Sequence, residues 1–241
     1  MQKIFLTAER KNLVFQTFLV APEILTPFCP AGTFPAVWNG NAYLTFVAGE
    51  YSQTKVRGIP NPALFDFPEW TLRFYAFDPS TNIIAFVYVK AIVPKHCIAL
   101  WANRIYEEPY ETLPMEFETN QLFYEDNLES IHISYDCWKQ KIKYRIRAVA
   151  KPDLVLDEFE PAYWKIQYSF GKKDQKTMIY WFDRNGWIFY KPQELDVELD
   201  FGAVFGNNWQ FLNVQKPVHE GISPGGSVRI YSGTPLADFR L

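Results

Sequence analysis

One short run of this chain carries residue types that could do chemistry on a small molecule. In Glu69-Trp70-Thr71-Leu72-Arg73-Phe74-Tyr75 polar and apolar residues alternate strictly, and a strand sends alternate side chains to opposite faces. Glu69, Thr71, Arg73 and Tyr75 then share one face, while Trp70, Leu72, Phe74 and Ala76 share the other. A carboxylate beside a guanidinium can move a proton and fork a ligand's carboxylate. The plainer alternative is a solvated strand face with a Glu–Arg pair.

Other chemistry-bearing residues are fewer. Lys90 interrupts the apolar run Phe86–Val93, and an amine buried there would lose its proton easily enough for Schiff-base chemistry. The run ends at Pro94, which favours a strand end whose lysine reaches water. Lys95 reads as a surface residue at a helix start. Lys139, Lys141, Lys143, Arg145 and Arg147 alternate with Gln140, Ile142, Tyr144 and Ile146. Such a row is either an anion or nucleic-acid groove or, the favoured reading, an outer barrel face paired with acids. Glu194, Asp196, Glu198 and Asp200 form a matching acidic row. His96, His132 and His219 have no zinc-ligand spacing, so no metal is expected. No nucleophile elbow, phosphate loop or dinucleotide fingerprint occurs, so hydrolase, kinase and dehydrogenase readings have no support.

Strands must position these residues. Asn39-Gly40 and Asn185-Gly186 lie between aromatic-rich runs and suit tight type I′ hairpins. Asp78-Pro79-Ser80-Thr81-Asn82 predicts a third turn, and a fourth joins Ser130–Tyr135 to Lys141–Val149. Short helices are expected at Pro22–Phe28, Pro94–Arg104 and Asp153–Trp164; in the second, Cys97, Ile98, Leu100 and Trp101 make one apolar stripe. No linker or repeat divides the chain. The expectation is a single domain over residues 1–241, mainly antiparallel β.

Of 241 residues, 48% are hydrophobic, 18% aromatic and 21% charged, a composition that can bury one sizeable core. A net charge of −3 argues against nucleic acid or an anionic membrane as partner. The longest apolar run, Ile83–Val89, is about a third of the roughly 20 residues a spanning helix needs. Three cysteines without CxxC spacing point to a reducing compartment. With no signal peptide read at the N-terminus, the expected location is the cytoplasm.

Pro22-Glu23-Ile24-Leu25, Cys29-Pro30-Ala31-Gly32, Trp38-Asn39-Gly40-Asn41-Ala42-Tyr43, Gly58-Ile59-Pro60 and Phe67–Tyr75 occur in this order. Together they resemble the uncharacterised YqjF-like family, a domain of unknown function in the acetoacetate decarboxylase-like superfamily. The likeness spans residues 13–115, and Gly225-Gly226-Ser227-Val228 is compatible with it. It implies a closed antiparallel β-barrel with a few short helices and an internal cavity for a small organic, carboxylate-bearing molecule.

In the decarboxylase, a Tyr-Pro-Lys-Lys stretch supplies the Schiff-base lysine and a second lysine that lowers its pKa. Here that place reads Glu108-Pro109-Tyr110-Glu111, and neither a phenol nor a carboxylate forms an imine. The resemblance therefore implies binding without a lysine imine, and places Glu69 near the decarboxylase's active-site acid. Glu69, Arg73, Tyr110, Glu111 and Arg57 are the expected ligand-binding residues, with no cofactor. If there is turnover, Glu69 or Glu111 is the acid/base, Tyr110 the proton donor, and Arg73 or Arg57 the anion clamp. A structural protein with a packed interior is the remaining possibility.

Overall fold

The computed structural model describes residues 3–60, 66–125, 127–156, 163–184 and 187–239. The strands among them are β1 (Ile4–Val20), β2 (Phe34–Pro35), β3 (Ala42–Val56), β4 (Ile59–Pro60), β5 (Phe67–Asp78), β6 (Ile83–Val93), β7 (Tyr110–Thr112) and β8 (Met115–Tyr124). They continue with β9 (Asn127–Lys139), β10 (Ile142–Val155), β11 (Tyr168–Lys173), β12 (Lys176–Asp183), β13 (Tyr190–Glu198), β14 (His219–Tyr231) and β15 (Thr234–Pro235). The helices are α1 (Pro22–Leu25), α2 (His96–Ile105) and α3 (Phe201–Phe205).

Turn chemistry sets the hairpins. Asn39 and Gly40 take φ of 50° and 81°, and Trp38 and Asn41 exchange backbone bonds across them, as a type I′ turn requires. At the next turn the Asp78 carboxylate accepts from the backbone N–H groups of Ser80 and Thr81. Gln140 and Lys141, with φ of 52° and 67°, join β9 to β10. The hairpin expected at Asn185-Gly186 lies outside the described residues.

These hairpins join into one mainly β sheet ordered β15, β12, β11, β6, β5, β3, β1, β14, β13, β10, β9, β8, with β12 also paired to β14. The 17-residue β1 lies between β3 and β14. It holds both sides of the candidate site in register, with Arg10 opposite Tyr51 on β3 and opposite Gly226 on β14.

Strand alternation sorts the two faces of β5. Trp70, Leu72, Phe74 and Ala76 are fully buried in the main core, where each large side chain contributes roughly 1.5–3 kcal/mol. Phe46 of β3 meets Trp70, Phe201 and Phe205 edge-on, so α3 covers this apolar face. The sequence reading did not anticipate α3. Asp200, the last residue of the acidic row, is its N-cap and accepts from the Ala203 N–H at 3.0 Å, which satisfies a donor the helix cannot.

All three helix expectations shift. Pro22–Phe28 is one α turn followed by a 3-10 turn at Thr26–Phe28. In α2 Ala99 is buried and Ile98 packs against a core cluster, while Leu100 and Trp101 are 54% and 45% exposed, so only part of the apolar stripe reaches the core. The helix expected at Asp153–Trp164 is corrected at both ends: β10 continues to Val155 and a 3-10 turn occupies Tyr163–Lys165. The intervening residues 157–162 lie outside the described set.

Lys139, Lys143, Arg145 and Arg147 of the basic row are paired with acids. Asp136 binds Lys143 at 2.7 Å and Arg147 at 3.1 Å, and Arg145 approaches both Asp136 and Glu198. Burial opposes ionisation of Asp136, but hydrogen bonds from Lys143 and Arg147 hold its pKa below the ordinary value. Among the described residues no three His, Cys, Asp or Glu side chains cluster as a metal site would require. No helix among them is long and apolar enough to cross a membrane.

Candidate functional site

The polar face of β5 meets β1 and β7 in the interior. Arg10 Nη1 donates to Glu69 Oε2 at 2.6 Å, and Tyr110 Oη donates to Glu69 Oε1 at 2.8 Å. Both carboxylate oxygens are thereby engaged, one by a cation and one by a phenol. The side chains of Arg10 and Glu69 are 9% and 2% exposed. The guanidinium also lies 4.3 Å from the centre of the Tyr51 ring, a cation–π contact that helps offset its desolvation.

Local structure explains why Tyr110 is there. The three-residue β7 runs parallel to β6, with Tyr110 beside Ala91. Asn103 of α2 holds the Tyr110 backbone from both sides: its Oδ1 accepts from the Tyr110 N–H and its Nδ2 donates to the Tyr110 carbonyl, each at 2.9 Å.

A cavity of about 160 Å³ opens beside this cluster. Its polar groups include Tyr51, Glu69, Tyr88, Glu108 and Tyr110, and its apolar walls include Phe67, Ile98, Trp101 and Phe182. An apolar cavity of about 150 Å³ holds a benzene-sized molecule. No lysine is among the described residues that line it.

Burial, and then the charge of Glu69, push the Glu108 carboxyl up to about 8. Near neutrality Glu108 is therefore mostly a protonated acid facing an ion-paired carboxylate, and such divergent environments separate the roles of two carboxyl groups. Burial first, with Glu69 adding, raises Tyr110 well above an ordinary phenol, so its proton stays in place. For Arg10, burial opposes the charge, but the potential of Tyr51 and Glu69 outweighs it and raises the guanidinium's pKa. Gly171 of β11 makes room for Glu108, since a Cβ there would sit 2.5 Å from Glu108 Oε1.

Of the residues expected from sequence, Glu69 and Tyr110 come together. Arg73 shares the inner face but lines an adjoining cleft, its guanidinium carbon 5.0 Å from the centre of the Phe86 ring. Glu111, the next residue along β7, points away from the cavity and binds Lys90 and, at 3.0 Å, Lys139. Burial opposes its charge, yet the hydrogen bonds from these lysines lower its pKa. Lys90 also donates to the Val204 carbonyl at 3.2 Å, so the expected escape to water is replaced by a docked amine. Arg57 is exposed at the β3–β4 turn, with φ of 51°, and lines an outer groove.

Arg10, Tyr51, Tyr88 and Glu108 were not anticipated. Arg10 is 59 positions from Glu69 in sequence, so no local pattern marked it. Glu108 lies in the stretch compared with the decarboxylase lysines, so proximity to that motif was the available signal.

Residues 7–224 match the model of DUF2071, described as an uncharacterized conserved protein. No curated protein matches the sequence. An acetoacetate decarboxylase-like enzyme from Sphingomonas wittichii RW1 has a similar fold, with TM-score 0.64 and 12% identity, covering 97% of this chain and 94% of that one. The acetoacetate decarboxylase of Legionella pneumophila is similar at TM-score 0.62 and 10% identity, covering 98% and 89%. The enduracididine biosynthesis enzyme MppR complexed with pyruvate is similar at TM-score 0.60 and 11% identity, covering 100% and 93%.

Proposed function

The chain belongs to the DUF2071 family, and from that premise we propose that it binds a small organic molecule in the cavity beside Glu69 without forming a lysine imine. The single observation that carries this reading is the Glu108 carboxyl, its pKa pushed up by burial, lining the same cavity of about 160 Å³ as Glu69 and Tyr110 of the Arg10–Glu69–Tyr110 cluster. Protonated Glu108 can donate to one oxygen-bearing head, carbonyl or carboxylate, while aromatic walls take the rest of the molecule. Pyruvate in the similar enzyme MppR supports a ligand of this size.

The proposal assigns ligand contact to Glu69 and Tyr110, with Arg10 behind Glu69 and Glu108 as the proton donor; Glu111 and Arg57 stand outside it. The pairing of β12 with β14 supports reading the sheet as a closed barrel, and the continuous sheet supports one domain. A cytoplasmic location is proposed from the sequence alone. A second reading, acid–base catalysis at a bound carbonyl, is favoured by Glu108 alone, because an acid with a pKa near neutrality can give up its proton in a reaction.

Cyclohexanone, a benzene-sized ketone, tests the binding. Titration monitored by intrinsic fluorescence should saturate for the wild-type protein and weaken by roughly tenfold in Glu108→Leu and Glu108→Met, each of which loses the Glu108 hydrogen-bond donor. Unchanged affinity in both variants would remove the site.

Reduction by borohydride in the presence of pyruvate or acetoacetate should leave the protein mass unchanged. Lys90 is engaged by Glu111 and the Val204 carbonyl, and no lysine is among the described lining residues. A stable adduct on any lysine contradicts the imine-free reading.

Glu108 also makes stability depend on pH. Its folded pKa, about 8, lies above the ordinary 4.5, so the native state holds the proton more tightly than the unfolded chain. This contribution is complete below about pH 4.5 and is lost as the pH rises towards about 8, at a limiting slope of about 1.4 kcal/mol per pH unit. Thermal melting across that window should decline less steeply for Glu108→Gln; parallel declines would refute the assignment.

A further inference from the structure

Two hydroxyls of the cavity beside Glu69 have no role so far, and from them we infer that the cavity selects an uncharged head, a ketone, carboxamide or alcohol on an apolar body, bound by Thr54 and Tyr180 together with Glu108. Selectivity of this kind rests on the cavity binding a small organic molecule, as proposed above, and removes the carboxylate from the two heads considered there.

Thr54 of β3 and Tyr180 of β12 both line the cavity and are 1% and 7% exposed. Thr54 Oγ1 and Tyr180 Oη are each buried without a hydrogen-bond partner. A buried hydroxyl left unpaired is costly, and each of these can donate as well as accept. A local irregularity brings Thr54 there. Strict alternation would send Tyr51 and Thr54 to opposite faces of β3, yet both line the cavity. Against β1 the register of β3 shifts between Ser52 and Lys55, and Gln53 takes φ of 53°. The extra residue of such a bulge re-aims the side chain that follows it. Tyr180 stands beside Glu108, since the position of a Cβ added to Gly171 is 2.5 Å from Glu108 Oε1 and 3.2 Å from Tyr180 Cε2. Burial above all raises the Tyr180 phenol over its ordinary value, so it stays neutral.

Charge decides against an anion. No lysine or arginine is among the described residues that line the cavity. Arg10 is matched by Glu69, and Arg57 and Lys95 stand outside the lining. Glu108 shows what a carboxyl meets here: burial, and then the charge of Glu69, favour its neutral form. A ligand's carboxylate would meet both penalties with no cation in the lining to offset them. An uncharged oxygen escapes them and accepts from the free hydroxyls.

Cyclohexanecarboxamide and cyclohexanecarboxylate, closely matched in shape and different in charge, are the probes, titrated calorimetrically near neutrality at equal ionic strength. The carboxamide should bind the wild-type protein saturably and roughly tenfold or more tighter than the carboxylate. Tyr180→Phe and Thr54→Val should each weaken carboxamide binding by roughly fivefold, the effect of one neutral hydrogen bond. The melting temperature of the free protein should hold or rise in both, because each variant removes an unpaired buried hydroxyl. Thr54→Ser, which keeps the hydroxyl, should keep the affinity. Carboxylate binding as tight as carboxamide binding, or wild-type carboxamide affinity in both Tyr180→Phe and Thr54→Val, overturns the selectivity, while cyclohexanone binding that weakens in Glu108→Leu still upholds the cavity. Failure of cyclohexanone and the carboxamide alike to bind overturns both.

Discussion

Arg10→Met is expected to destabilise the protein by about 3–5 kcal/mol, the cost of leaving one member of a buried ion pair without its partner. Glu69 is 2% exposed and accepts from Arg10 at 2.6 Å and Tyr110 at 2.8 Å, so losing the guanidinium leaves a buried carboxylate with one neutral donor. For a domain of this length each kcal/mol moves the melting temperature by roughly 2–4 °C. The Arg10→Met/Glu69→Met double variant should recover much of the loss, because removing both charges also removes both desolvation penalties. Cyclohexanone affinity should not recover with it. A double variant as unstable as Arg10→Met would mean that Arg10 acts through packing on Tyr51 rather than through its charge; thermal or denaturant melting of the three variants reads the difference.

Gly225→Ala should be more damaging still. Gly225 of β14 has φ of +78°, and a Cβ there would lie 1.9 Å from the Arg10 carbonyl oxygen and 2.8 Å from its carbon. Both atoms are backbone, so no rotamer relieves the clash, and β1 would have to move at the residue that carries the site's guanidinium. The expected cost is about 4 kcal/mol or more, in the range reserved for severe backbone lesions. Gly58→Ala is the internal control. Gly58 has φ of +81° with nothing within 4 Å of an added Cβ, so only the conformational cost of about 1–2 kcal/mol applies. Equal losses in the two variants would show that the close approach to Arg10 is not what requires glycine at 225.

The site was legible in part, and the part depends on distance along the chain. Alternation through Glu69–Tyr75 needs only the strand's two-residue period, so the inner and outer faces of β5 follow from local sequence. The same holds for Asn39-Gly40, whose positive φ angles follow from residue type. Tyr110 came from a motif comparison rather than periodicity, and the structure sets its hydroxyl on Glu69. Its neighbour Glu111 was grouped with it by adjacency, but adjacent strand residues face opposite ways, and Glu111 accordingly meets Lys90 and Lys139. Arg73 lies on the anticipated face, while its separation from Glu69 along β5 puts it in a different cleft.

Residue types and their local spacing determined that this chain is mainly β, where its tight turns fall, and which side chains of β5 point inward. Only the tertiary structure decided which guanidinium meets Glu69, because Arg10 is 59 positions away in sequence and reaches it through the pairing of β1, β3 and β5. It also decided that Glu108 holds its proton. Glu108's pKa depends on burial and on the nearby charge of Glu69, and both are properties of the space around the carboxyl rather than of its neighbours in the chain.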